Sequence, residues 1–184
     1  MVVAIVVIVV VALVVLLVVL AYNRLVRLRN RTENAWAQVD VQLRKRYDLV
    51  PNLIETVKGY AAHERAVFDE MTEARTRAQA AKGVEDQAQA ENLLSAALGR
   101  LVAVAEAYPD LKASASFTQL QAQLGDIERD IAVSRQVYND TVLTYSNAIE
   151  SVPTNILAGI FKFGPKQYFE IDELAAREPV QVKF

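Results

Sequence analysis

The chain has 184 residues with 20 basic and 22 acidic side chains, so its net charge is −2 and its length suits one ordinary domain. It has no cysteine and one histidine, which excludes disulfide bonds, thiol nucleophiles, zinc fingers and histidine-rich metal sites. Because the charges are balanced, the composition does not favour a nucleic-acid-binding protein.

The first element is an apolar segment, residues 2–21, which read VVAIVVIVVVALVVLLVVLA without one polar side chain. Twenty residues of helix span ~30 Å, the thickness of a bilayer's hydrocarbon core. A cleaved signal peptide would have a basic start and a shorter apolar core, and a core helix this apolar would be unusual in so small a domain. We therefore predict a transmembrane helix over residues 1–21 that is retained in the protein.

A basic flank follows the apolar segment. Tyr22 takes the position of an interfacial aromatic residue. Four arginines come next, with no acid before Glu33; they are Arg24, Arg27, Arg29 and Arg31. The positive-inside rule predicts a single-pass protein of the cell membrane with its amino terminus outside and all later residues in the cytoplasm. Binding of anionic lipid headgroups is a second reading of the same arginines.

A first soluble helix is predicted from apolar positions that recur at steps of three and four from Trp36 and, after a gap beyond Ala61, as far as Ala81. Pro51 lies inside this run, and a proline there kinks or breaks a helix. Because the apolar phase continues across Pro51, we predict one long helix, kinked at Pro51 and nearly continuous with the membrane segment. The alternative is a reversal at Pro51, with Asp48 capping a new helix.

Two further helices are predicted, over about Asp86–Tyr108 and over Phe117–Val152, and a proline follows each. A capping box that starts at Ser116 precedes the second of them. The apolar seam of that helix has the 3.5-residue period of left-handed coiled-coil packing. The predicted fold is therefore all-α, with an antiparallel, coiled-coil-like bundle of the four-helix type over residues 22–152.

The tail, residues 153–184, has a different composition, with lysines, glycines and a short helix predicted at about 171–177. Its candidate interaction residues are Phe161, Phe163, Tyr168 and Phe169. These aromatic side chains either fold back onto the bundle or form a docking site for a partner, another subunit or a membrane surface. If the first helix runs unbroken to Ala81, the tail lies at the end of the bundle far from the membrane.

No pattern in the chain predicts catalysis. His63-Glu64 lacks the second histidine of a zinc motif at Val67. The basic run at residues 44–46 lies between two aspartates and is interpreted as a solvated, salt-bridged face rather than a phosphate site. Four polar seam residues of the last helix are predicted to bond across the bundle and set its register, with a ligand pocket as the less favoured reading; they are Ser134, Tyr138, Thr141 and Tyr145.

Several segments resemble the bacterial LemA family. The main one is residues 46–64, RYDLVPNLIETVKGYAAHE, and others are residues 35–40, 108–113, 135–140 and 161–169, in matching order over nearly the whole chain. The resemblance implies a single-pass membrane protein with a four-helix bundle, an external amino terminus and no catalytic, cofactor-binding or metal-binding residues to carry over. The motif residues it marks as structural or interaction positions are Trp36, Asp48, Pro51, Asn52, Gly59, Glu64, Tyr108, Pro109 and Asn139.

These observations lead to one expected function and two alternatives. We expect a non-enzymatic scaffold, anchored in the lipid bilayer, that associates with itself or with another membrane protein and takes part in membrane organisation. No cofactor, nucleic acid or small-molecule substrate is expected. The alternatives are a ligand- or signal-sensing module and an accessory subunit of a membrane enzyme such as a protease.

Overall fold

The computed structural model describes residues 1–170, and these residues contain six helices and no strand, which confirms the all-α prediction. The helices are α1 (Val2–Lys58), α2 (Arg65–Ala80), α3 (Val84–Ala107), α4 (Pro109–Lys112), α5 (Ala115–Glu150) and α6 (Thr154–Ile160). The short helix predicted at about 171–177 lies outside the described residues.

Helix α1 continues without interruption through Pro51, so the chain does not reverse there, as the unbroken apolar phase predicted. The predicted end of this helix at Ala81 is wrong, because α1 stops at Lys58. Gly59 follows, and the amides of Tyr60 and Ala61 both bond to the Val57 carbonyl in a tight turn. Glycine lacks a side chain that would favour the helix and costs ~1 kcal/mol relative to alanine inside one.

The chain divides into two compact units. The first contains Met1–Asp40 and Val133–Gln167, and the second contains Val41–Ala132 and the chain from Tyr168 onward, described as far as residue 170. Helices α1 and α5 each contribute residues to both units.

In the first unit, helix α1 runs antiparallel to helix α5. The Trp36 ring packs on the Tyr138 ring with 5.1 Å between centroids, whereas Leu25, closer to the amino terminus, shares a core cluster with Ala148. Residues nearer the amino terminus of α1 therefore contact residues nearer the carboxyl terminus of α5. As a result, the end of α5 and the start of the tail lie beside the flank of the apolar segment.

The second unit is a four-helix bundle made by parts of α1 and α5 with α2 and α3. Helix α1 reaches α2 through Tyr47 and Arg75, α3 through Arg46 and Glu91, and α5 through Arg46 and Glu128. Its buried apolar side chains come mainly from the predicted seams and include Leu43, Val50, Val57, Met71, Leu94, Leu101, Phe117 and Ile131. The coiled-coil character of this packing stays a prediction.

Helix α5 follows its predicted seam with two corrections at its ends. It begins at Ala115, so Ser116 lies inside the helix and does not cap it. It ends at Glu150, so Val152, the last predicted seam position, lies outside the helix and is 80% exposed. A capping box is a local sequence signal, and here the helix extends one residue beyond the position that the signal marks.

Candidate membrane-proximal site

Within residues 1–170, the most apolar stretch of α1 is not buried against any other part of the protein. Helix α1 is the one described helix long and apolar enough to cross a membrane, and none of its most apolar stretch is buried. Side chains such as Val6 and Leu13 are about half exposed, as on an isolated helix. A core helix of a soluble domain would bury such residues, so this surface requires an apolar environment from outside the chain.

The basic flank and the aromatic tail meet at the end of this segment. Tyr22 contacts Phe161 and Phe163, with ring centroids 4.8 Å and 5.8 Å apart in edge-to-face geometry. The Arg29 guanidinium lies 5.5 Å from the centre of the Phe163 ring, a cation–π distance. All four arginines of the flank are exposed. The structure thus brings together Tyr22, Arg29 and two of the four candidate aromatic residues.

A small apolar core holds this arrangement together. It contains Leu25 of α1, Tyr145 and Ala148 of α5, Ala158 of α6 and Phe163. Ala158 and Phe163 are at most 9% exposed, so the start of the tail is an integral part of the unit. Burying such side chains stabilises this arrangement by ~25 cal/mol for each Å² of apolar surface.

Two tyrosines of the predicted polar seam bind the tail backbone. The Tyr145 hydroxyl donates to the Gly164 carbonyl at 3.0 Å, and the Tyr138 hydroxyl donates to the Gln167 carbonyl at 2.8 Å. Burial raises the pKa of Tyr145 and raises that of Tyr138 to about 12, so both hydroxyls keep their protons at neutral pH. The seam was expected to bond across the helices, but these two residues instead hold the extended segment that follows α6.

Phe161 and Phe163 therefore lie beside the membrane segment, and the expected distal position is wrong for these two residues. That expectation required a straight helix to Ala81, whereas α1 ends at Lys58 and the chain turns back. Among the four candidate aromatic residues, Phe163 and Phe169 are buried, at 9% and 0% exposure. Phe161 and Tyr168 remain 47% and 41% exposed. Only these last two present a substantial aromatic surface to a partner or a membrane.

A buried polar cluster in the second unit was missed by the sequence analysis. Arg46, read as part of a solvated basic face, is 2% exposed and pairs with the fully buried Glu91 at 2.8 Å. The Tyr47 hydroxyl donates to the other Glu91 oxygen, and Gln87 Nε2 donates to that oxygen at 2.9 Å. Arg46 lies one helical turn after the seam residue Leu43, and Glu91 lies one turn before the seam residue Leu94. This spacing places both charged residues on the buried faces of their helices and could have been used to predict their burial.

The electrostatics of the buried cluster favour one protonation state. Burial, followed by the nearby Glu91 charge, raises the pKa of Tyr47, so its phenol stays neutral and donates. Glu128 is the second carboxylate near Arg46, with Oε1 2.9 Å from Arg46 Nε, although that N–H bond is not aligned with the oxygen. Burial raises the pKa of Glu128, and the Arg46 charge lowers it by less. One cation thus serves two carboxylates, an arrangement that suits packing of helices in a set register.

One contact joins two of the family-motif residues. The Tyr108 hydroxyl lies 3.4 Å from Glu64 Oε1, and this contact joins the segment that follows α3 to the turn that precedes α2.

Within residues 1–170, no three histidine, cysteine, aspartate or glutamate side chains are grouped so that they could hold a metal ion.

Comparison with known proteins identifies close similarity to one family. The LemA family model matches residues 35–184. Magnetosome proteins MamQ 1 and MamQ 2 of Paramagnetospirillum magneticum are each 29% identical over 82% of this chain, and magnetosome protein MamQ of Magnetospirillum gryphiswaldense is 27% identical over the same share. The chain spans 65% of the length of each of these relatives.

Proposed function

This protein belongs to the LemA family, and we propose that it is a non-enzymatic helical scaffold, anchored in the cell membrane, that associates with itself or with another membrane protein. The observation that carries the proposal is the apolar segment 2–21, in which no residue of the most apolar stretch is buried and which continues directly into the helix of the bundle. Magnetosomes are membrane compartments, and three relatives are magnetosome proteins. Their similarity supports a role in membrane organisation.

The hydrogen bonds of the polar seam of α5 favour the scaffold proposal over a ligand-sensing role. Tyr138 and Tyr145 were the residues that a ligand pocket would have used. Their hydroxyls instead bind backbone carbonyls of the protein's own tail, and both side chains are buried. The two hydroxyls that a small molecule would have bound are therefore already bonded within the protein.

Topology is tested by cysteine labelling, because the chain has no cysteine of its own. The proposed orientation has the amino terminus outside and the bundle in the cytoplasm. In intact cells, a membrane-impermeant maleimide should label Val2→Cys and should leave Gln123→Cys unlabelled until the cells are opened. Labelling of Gln123→Cys in intact cells would reverse the assignment.

Association is tested by native mass spectrometry of the full-length protein extracted with its surrounding lipid. We expect a mass above the 20.4 kDa of one chain, corresponding to several copies or to one defined partner. The anchor has no glycine, hence no Gly-x-x-x-Gly motif for close helix packing in lipid. The bundle and tail are therefore expected to make the contacts, and a strictly single chain at native expression would contradict the scaffold function.

A further inference from the structure

The turn around helix α6 exposes an unusual amount of apolar surface. Val152, Ile156 and Ile160 are 80%, 61% and 66% exposed, and Phe161 is 47% exposed. Ala158 faces the core and is 4% exposed. Ile156 and Ile160 are two residues before and after it, so they project from the opposite face of the helix. Helix α6 therefore presents its two isoleucine side chains outward.

This turn lies beside the end of the apolar segment. Helix α5 runs towards that end, since its Ala148 packs with Leu25 and its last residue is Glu150. The Phe161 ring is 4.8 Å from the ring of Tyr22, the first residue after the apolar run. The exposed side chains of α6 are thus placed where a bilayer around residues 2–21 would have its interface.

The charges around the turn are mostly basic, although Glu33 and Glu150, which ends α5, are acidic. Residues 151–166 contain Lys162 and Lys166 and no acid, and residues 22–31 contain four arginines and no acid. Lys166 pairs with Glu33 at 3.2 Å. Within residues 1–170, Lys162 and the four arginines of the flank are exposed and form no ion pair with an acidic side chain. Apolar side chains with a basic rim are the composition of segments that lie in the interface of an anionic membrane.

We propose that the turn from Val152 to Phe161 is a second lipid-binding element, which inserts Val152, Ile156, Ile160 and Phe161 into the interface of an anionic bilayer next to the anchor. The proposal rests on the membrane anchoring of residues 2–21. A bilayer, rather than a protein partner, is the occupant because the turn adjoins the anchor through Tyr22 and carries the basic rim. The inserted turn would hold the first unit against the membrane and limit its tilt about the anchor.

The test uses the full-length protein in bilayers that contain phosphatidylglycerol. A nitroxide is attached to a single cysteine introduced as Ile156→Cys, Ile160→Cys or Val133→Cys, and Ile8→Cys reports the anchor. Val133 is the matched control, because it is 63% exposed and apolar. It lies on α5 on the amino-terminal side of Tyr138, away from the apolar segment, and is therefore roughly 30 Å from the end of that segment.

We expect labels at 156 and 160 to be relaxed more by oxygen, which enters lipid, than by a water-soluble nickel complex, as at position 8. The order should reverse at position 133. Nickel accessibility at 156 and 160 equal to that at 133, with position 8 in lipid, would overturn the inserted turn and leave the anchor intact. Position 8 exposed to nickel would instead refute the anchoring itself.

Two further outcomes are decisive. Labels at 156 and 160 that are shielded from both reagents and show spin–spin coupling would mean that a second copy covers the turn, which contradicts a lipid contact. The oxygen preference should weaken in neutral phosphatidylcholine bilayers. An equal oxygen preference in the two kinds of bilayer would show that the basic side chains around the turn do not contribute to its insertion. The double variant Ile156→Ser/Ile160→Ser, read with a label at Val152→Cys, should lose the oxygen preference while its helical circular dichroism is unchanged.

Discussion

The Arg75 guanidinium donates a hydrogen bond from Nε to the main-chain carbonyl of Tyr47 at 2.8 Å. In a regular helix that carbonyl would accept the amide hydrogen of residue 51, but Pro51 has none. A side chain of α2 therefore supplies the donor that the proline removes from α1. This relationship explains how helix α1 passes through Pro51, a family-motif residue, within a packed bundle.

The first prediction concerns this carbonyl. Arg75→Met should lower the free energy of unfolding by ~1–3 kcal/mol, because it leaves a partly buried acceptor without a donor. In a Pro51→Ala background the backbone amide can take over, so the same substitution should cost much less. Urea unfolding of the full-length protein in mild detergent measures both. Arg100→Met, which breaks only the exposed pair with Glu70, is the control and should cost less than ~1 kcal/mol.

The second prediction concerns the buried pair of Arg46 and Glu91. Glu91→Leu should destabilise the protein by ~3–5 kcal/mol, because a buried cation loses its main partner. Adding Arg46→Met should recover part of that loss. The same unfolding assay applies, with Glu70→Leu as the exposed control. A double variant that is less stable than Glu91→Leu alone would show that Arg46 does not depend on Glu91.

The third prediction concerns pH. The pKa of Glu128 is raised in the folded protein, so the folded state keeps this proton to a higher pH than the unfolded state does. Its contribution to stability is therefore present at low pH and is lost as pH rises through the folded-state pKa. The free energy of unfolding of the wild type minus that of Glu128→Gln should fall between pH 4 and pH 7. A difference that rises over this range would mean that the Arg46 attraction outweighs burial.

The fourth prediction concerns the seam of α5. Ile131 is 3% exposed, so Ile131→Ala should cost ~2–5 kcal/mol through lost burial and a residual cavity. Gln123→Ala, at an exposed position of the same helix, should be within ~0.5 kcal/mol of the wild type. Equal shifts in the thermal unfolding midpoint would place the buried face of α5 elsewhere.

Much of the fold could be predicted from local patterns. The apolar segment, the seams of the three long helical regions and the continuity of α1 through Pro51 all follow from side-chain spacing, because a helix repeats every 3.6 residues and its buried face shows that period. The break after Lys58 was also present in the chain, as Gly59 and the gap in the seam between Ala61 and Val67. The prediction joined the two helices because α2 also buries an apolar face, as at Met71, whose helical spacing resembles a continuation of α1.

The sequence by itself determined the apolar segment with its basic flank, the all-α class and the family, since each depends on residue types at fixed short spacings. Only the tertiary structure decided that the tail meets Tyr22, that Phe163 is core while Phe161 is surface, and that Arg46 is buried opposite Glu91. The physical reason is that periodicity gives the phase of each helix and says nothing about where the chain turns back. The turns, of which the one at Gly59 is the first, set which distant residues become neighbours.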